Sequence, residues 1–200
     1  MRQHHGAILC NVASAIRVIA EDFPPDPDSF LSFLPLSHAY EHTGGQMLPI
    51  GMGGQIFYSE GLEKLASNIE EVRPTIMVVV PRLFEVLRTR IMKQVEKQGK
   101  VANFLMGRAL AIGGIKGQNE GKGRLRDKPM DLILEKTLRP KIRARFGGRI
   151  KAMVSGGAPL NPEVGTFFEA MGLNMLQGYG QTEAAPVISC NRPKVGLKMD

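Results

Sequence analysis

The chain has 200 residues, which suits one medium domain or two small ones. With 43% hydrophobic and 22% charged residues it can bury a core, and composition excludes disorder along its whole length. A net charge of +7 favours anionic partners such as nucleotides, acyl-CoA or acidic lipid, whereas three Tyr and no Trp leave little surface for base stacking and argue against nucleic acid. The two cysteines, Cys10 and Cys190, allow neither a disulfide framework nor a paired-Cys zinc site and imply a reducing, cytoplasmic setting. No apolar run reaches the roughly 18 residues of a membrane span. Met1–His5 is polar and lacks the apolar centre of a secretion signal.

In chain order, Ile8, Leu9, Val12, Ala15, Ile16 and Ile19 recur at helical spacing, so His5 to Ala20 is predicted as a helix. Prolines between Asp22 and Asp28 end it. Phe30 to Leu34 reads as a buried strand stopped by Pro35, and a Gly/Met/Leu-rich helix follows to about Ile50. Gly53 to Ser59 reads as a strand, and Glu63 to Val72 as a short helix. Thr75 to Val80, β-branched and closed by Pro81, has the continuous apolar run of a parallel strand covered on both faces. Helices are predicted for Arg82 to Lys97, Val101 to Ile112, and Met130 to Phe146 with a break at Pro140. Gly113 to Asp127 is rich in Gly, Lys and Arg, lacks Walker spacing and is expected to be an exposed basic loop. Ile150 to Val154 is a strand that ends in Ser155-Gly156-Gly157-Ala158-Pro159. Asn161-Pro162 starts a helix that Gly172 caps. A strand from Leu173 leads into Gln177-Gly178-Tyr179-Gly180-Gln181-Thr182-Glu183, and Pro186 to Ser189 is one more strand.

Strands and helices alternate, so the fold class is α/β, with a largely parallel sheet flanked by helices. In such sheets ligands bind beyond the carboxyl ends of the strands. Three segments fall there: Ser37 to His42, Ser155 to Pro159, and Gly178 to Glu183. Glycine allows sharp turns and close approach to a ligand. The Thr182 hydroxyl suits a phosphate oxygen, and Glu183 is the hard oxygen ligand that Mg²⁺ prefers.

Other chemistry competes for the first segment. His38-Ala39-Tyr40-Glu41-His42 matches H-x-x-E-H, in which His38 and His42 would share a helix face and bind zinc, with Glu41 as general base. That reading needs a further acidic ligand, for which Glu60, Glu63, Glu70 and Glu71 qualify by type alone. Ser37 beside His38 lacks the G-x-S-x-G elbow of a serine hydrolase. A non-catalytic nucleotide- or acyl-binding module is the third alternative.

Four motifs occur in order: Leu34-Pro-Leu-Ser-His-Ala-Tyr-Glu41, Val80-Pro-Arg-Leu-Phe-Glu85, Ser155-Gly-Gly-Ala-Pro-Leu160 and Gln177-Gly-Tyr-Gly-Gln-Thr-Glu183. Together they resemble the adenylate-forming enzymes, and within them the long-chain fatty-acid–CoA ligases. The resemblance implies a partial acyl-CoA synthetase-like N-terminal domain with a basic helical insertion at about 82–146. It implies that Gly156, Gly157, Ala158 and Pro159 lie along the adenylate, and that Gln177, Gly178, Tyr179 and Gly180 form the adenine side. Thr182 would bond the phosphate and Glu183 would bind Mg²⁺. His38 would sit by the reacting carboxylate, with Tyr40 and Gly178 on the acyl channel. The substrates implied are a fatty acid, ATP and CoA, with AMP released. The basic insertion admits peripheral contact with an anionic membrane, and the resemblance leaves room for a homodimer.

The family's Ser/Thr/Gly-rich phosphate loop is expected before Met1, and its ribose-gripping Asp motif and C-terminal domain after Asp200. The chain is therefore expected to be a middle segment of the large domain, unable to complete either half-reaction alone.

Overall fold

The apolar runs become the strands of one six-stranded sheet. The computed structural model describes residues 1–118 and 124–193. Strands β1 (Ser29–Ser32), β2 (Gln55–Tyr58), β3 (Ile76–Val79), β4 (Ala152–Ser155) and β5 (Met175–Gly180) run parallel in the spatial order β2-β1-β3-β4-β5. β6 (Val187–Cys190) lies antiparallel beyond β5.

Successive side chains of a strand point to opposite faces, and the central strands show why their runs are apolar throughout. Phe30 and Ile76 face a layer formed by α1 (His5–Asp22) and the helical run α2 (Ala39–Glu41), a π-helical turn (His42–Met47) and α3 (Leu48–Met52). Leu31, Met77 and Val79 face the opposite layer. That layer holds α4 (Leu65–Val72), α5 (Pro81–Lys97), α6 (Lys100–Gln118), α7 (Lys128–Thr137), α8 (Arg139–Ala144) and α9 (Pro162–Ala170). Phe168 is its hub, with Phe84, Phe146 and Phe167 edge-on around it at centroid distances of 5.2, 6.0 and 5.1 Å. The basic stretch 82–146 thus supplies helices that bury Phe84, Met106, Leu134 and Phe146 in the main core.

Local signals set the helix ends. The Asn161 side chain accepts the Glu163 N–H at 2.8 Å, and Gly172 takes the left-handed conformation (φ 75°) after α9. Pro140 stands in the first turn of α8, and the expected break falls between α7 and α8. One expectation is corrected. Gly113 does not open a loop; α6 continues to Gln118. Gly113 lies so close to Ala170 of α9 that a Cβ would overlap it, so this glycine serves helix packing. Leu125–Asp127 forms a short 3₁₀ turn, and residues 119–123 of the expected loop lie outside the described residues. No helix of the described residues is long and apolar enough to cross a membrane.

From β1 the chain moves outward to β2, then returns past β1 to β3. This reversal makes a topological switch point between β1 and β3. Ligands of open α/β sheets sit outside the carboxyl ends of the strands at such a point.

Candidate active site

The first polar segment leaves the carboxyl end of β1. His38 is the extended residue before α2 (φ −84°, ψ 130°), and its Nδ1 accepts the Tyr40 N–H at 3.2 Å. Its side chain is exposed. Glu41 turns the other way and is fully buried, accepting a 2.5 Å hydrogen bond from the Ser32 hydroxyl. Burial pushes the Glu41 carboxyl up to about 7, against the bonds from Ser32 and the Phe33 backbone that favour its charged form. Its Oε2 has no hydrogen-bond partner among the described residues. The helix then widens into the π turn at Gly44 and Gly45. A Cβ on Gly44 would stand 2.9 Å from Val78 of β3, and one on Gly45 would overlap the Glu41 carboxylate. The two glycines let the turn close over a buried acid, and π turns recur at functional sites.

Tyr40 joins this segment to the second. Its hydroxyl donates to the Val154 carbonyl of β4 at 2.9 Å, and its ring covers Gly156, where a Cβ would approach Tyr40 Cζ to 2.7 Å. Burial foremost, with Cys190 and Glu41 nearby, raises the phenol pKa and keeps it protonated. Beyond Gly156 the residues Gly157, Ala158 and Pro159 are exposed, with Gly157 left-handed (φ 82°). Gly178 of β5 completes the junction: a Cβ there would lie 3.6 Å from both the Ser155 carbonyl and a Val154 methyl. Ser155 and Gln177 are register partners on β4 and β5. Ser155 Oγ and Gln177 Oε1 are both buried with no hydrogen-bond partner among the described residues. Unmet buried polar groups are exceptions in folded proteins and mark this junction as a place where a polar partner is accommodated.

The third segment departs from its expected form. Gly178 to Gly180 do not form a loop; they belong to β5, because β6 pairs with them through Gly178–Cys190, Tyr179–Ser189 and Gly180–Val187. Tyr179 is 64% exposed. The turn begins after Gly180, and Thr182–Ala184 forms a single 3₁₀ turn. Glu183 is exposed and Thr182 half-buried, with the Thr182 carbonyl accepting from Gln3 Nε2 at 2.6 Å. Among the described residues no hydrogen bond joins Thr182 or Glu183 to the Gly156–Pro159 loop. The structure therefore places Tyr40 on Gly156, with Gly178 beside Val154 and the Ser155 carbonyl, and sets Thr182 and Glu183 in the turn beyond the end of β5.

The zinc arrangement is not formed. His38 precedes the helix, so it shares no helical face with His42, and Glu41 is committed to Ser32. No group of three His, Cys, Asp or Glu among the described residues could hold a metal ion. Sequence reasoning missed the buried role of Glu41; the Gly44-Gly45 pair just after it was the available signal. It also missed Gln3 and Asn11, which carried no pattern.

A family model described as AMP-binding enzyme matches residues 1–199. The chain belongs to this family. Among the AMP-binding enzymes, it is 33% identical over 186 residues to "Long chain acyl-CoA synthetase 7, peroxisomal" of Arabidopsis thaliana, covering 92% of this chain and 25% of that protein. It is 30% identical to "Long-chain-fatty-acid--CoA ligase 5" of Mus musculus, covering 94% of this chain and 27% of that one. The chain thus spans about a quarter of the length of these curated relatives. Among solved structures, the adenylation domain of a carboxylate reductase from Mycobacterium chelonae superposes with a TM-score of 0.58 at 26% identity, over 82% of this chain and 22% of that one. The O-succinylbenzoate coenzyme A synthetase of Bacillus subtilis in complex with AMP superposes at 0.59 and 15% identity, over 96% and 29%, and shows the shared fold. The mostly parallel sheet flanked by helices is the architecture of these adenylation domains.

Proposed function

We propose that this chain forms the nucleotide- and acyl-facing part of a long-chain fatty acid–CoA ligase. The observation that carries this reading is the packing at the carboxyl end of the sheet, where Tyr40 covers Gly156 and bonds the Val154 carbonyl while Gly178 lies against Val154 and the Ser155 carbonyl. The long-chain synthetases among its relatives support the substrate class.

In the proposed reaction a fatty carboxylate oxygen attacks the α-phosphorus of ATP and pyrophosphate leaves, giving acyl-AMP. The CoA thiolate then attacks the acyl carbon and AMP leaves. Such a reaction depends on positioning and charge stabilisation more than on covalent help from the protein. Gly157 to Pro159 offer an exposed surface along the adenylate, with Gly156 buried behind them. Gln177 to Gly180 form the neighbouring wall, where the small Gly178 allows close approach. The Thr182 hydroxyl bonds a phosphate oxygen. His38, exposed at the rim, and Tyr40, half-buried behind it, flank the carboxylate and the acyl channel.

Magnesium fits this donor set in one specific way. Mg²⁺ is commonly held by one or two carboxylates together with substrate phosphates and water. A single exposed Glu183 at the turn meets that need. When bound, the ion neutralises charge on phosphate oxygens.

Calorimetric titration of this chain tests the reading with AMP, palmitoyl-sulfamoyl-adenosine and acetyl-sulfamoyl-adenosine. The proposal expects AMP to bind and the palmitoyl compound to bind more tightly than the acetyl one. Equal affinity for the two acyl compounds refutes the long-chain assignment. Absence of binding by all three refutes the nucleotide site.

A further inference from the structure

The turn that carries Thr182 and Glu183 is held from outside as well as by its own short-range bonds. Helix α1 and the residues just before it run alongside the turn and the β6 strand that follows, with contacts at three points. Just before α1, Gln3 Nε2 donates to the Thr182 carbonyl at 2.6 Å. In the middle, the Asn11 carboxamide makes three bonds. Its Nδ2 donates to the Val187 carbonyl at 2.8 Å and to the Ala184 carbonyl at 3.3 Å, and its Oδ1 accepts the Val187 N–H at 3.2 Å. At its end, Arg192 Nη2 pairs with Asp22 at 2.7 Å and Glu21 at 2.9 Å. The spacing is consistent: α1 rises about 16 Å from Asn11 to Asp22 at 1.5 Å per residue. An extended chain covers about 16 Å from Val187 to Arg192.

The two-way bond with Val187 is the exchange that a neighbouring β-strand residue would make. Asn11 thus supplies one residue's worth of strand pairing to the edge strand β6. Its third bond reaches back to Ala184, within the turn itself. Ala185, between these two contacts, is buried against Ile8 and Val12 of α1. The turn's own bonds are short-range: Gln181 N–H to Pro186, Ala184 N–H to Gln181, and Ala185 N–H to Thr182.

We infer that Asn11 is the positioning residue of the Thr182–Glu183 turn, fixing through α1 where the phosphate and metal side chains stand. The consequence for ligands rests on the roles proposed above for Thr182 and Glu183; the clamp itself does not. By linkage, anything that loosens Asn11 weakens a ligand held by the turn.

Residue-resolved hydrogen exchange of the wild-type chain, Asn11→Ala and Asn11→Asp tests this. The amides of Gln181, Ala184 and Ala185 bond to carbonyls within the turn and not to Asn11. In Asn11→Ala they are expected to exchange faster by about tenfold or more, together with Val187, as loss of several hydrogen bonds implies, while β3 amides keep their protection. In Asn11→Asp the carboxylate can still accept the Val187 N–H but can donate to neither carbonyl. Val187 then stays protected and the three turn amides remain fast. Acceleration at Val187 alone, or equal acceleration across β3 and the turn, overturns the inference. AMP affinity supplies the functional arm. Weakening of AMP in both variants supports positioning, and unchanged affinity with a loosened turn overturns it. If the wild-type chain binds no AMP, the nucleotide assignment fails while the exchange result still decides the clamp.

Discussion

Glu41 is a carboxyl enclosed at the carboxyl end of the sheet, and its removal has a computable signature. Glu41→Gln keeps the shape and can still accept from Ser32, but it cannot ionise. In the folded chain burial lifts the carboxyl from its ordinary 4.5 to about 7. The folded state therefore binds this proton more tightly than the unfolded state does. Its contribution to stability is complete below about pH 4.5, declines as pH rises, and is gone above about pH 7. At about 1.4 kcal/mol per pH unit, the full swing is about 3 kcal/mol. The assay is urea denaturation of wild type and Glu41→Gln at steps from pH 4.5 to 8. Other titrating groups are shared by both proteins and cancel in the difference. Relative to the variant, wild type should lose about 3 kcal/mol across this range. A difference that stays flat with pH would show that the carboxyl is not held in a desolvated site, and would refute the packing described for the π turn.

Further consequences follow from neighbouring contacts. Gly156→Ala places a methyl against the Tyr40 ring and should cost about 1–3 kcal/mol by overpacking. Adding Tyr40→Ala should recover part of that loss in a double-mutant cycle, and strictly additive losses would contradict the contact. Phe168→Ala removes the hub of the main core, where the side chain is fully buried, and should cost about 3–5 kcal/mol in the same denaturation assay. Glu183→Gln alters an exposed side chain, so the melting temperature should hold, while Mg²⁺ should cease to strengthen ATP binding measured by calorimetry. Retained magnesium dependence would move the metal ligand elsewhere.

Several features of the fold were legible because they depend on local pattern. The continuous run from Thr75 to Val80 predicts a strand buried on both faces, and β3 is one. Asn161-Pro162 and Gly172 mark the ends of α9 through capping geometry that involves only neighbouring residues. The misreadings came from long-range contacts. Gly113 looked like a loop opener because its partner, Ala170, is distant in sequence. Gly178 to Gly180 looked like a loop because their pairing with β6 comes from residues that follow a turn. At the site, Tyr40, Gly156 and Gly178 were named from motif order; the fold lays the Tyr40 ring on Gly156 and sets Gly178 against the Ser155 carbonyl and Val154. Glu41 was weighed as a zinc-site base, since nothing local shows that it turns inward to Ser32. Asn11 was illegible, because a single carboxamide on a helix reveals its use only when the edge strand is laid beside it.

The most direct test of the account is to titrate AMP into isotopically labelled chain and follow the backbone amide resonances. A nucleotide site at the carboxyl end of the sheet predicts saturable shifts concentrated at Gly156 to Ala158 and Gln177 to Glu183, with β2 and the amino ends of the strands unmoved. Shifts confined to the basic helices of 82–146, or none at all, would contradict it.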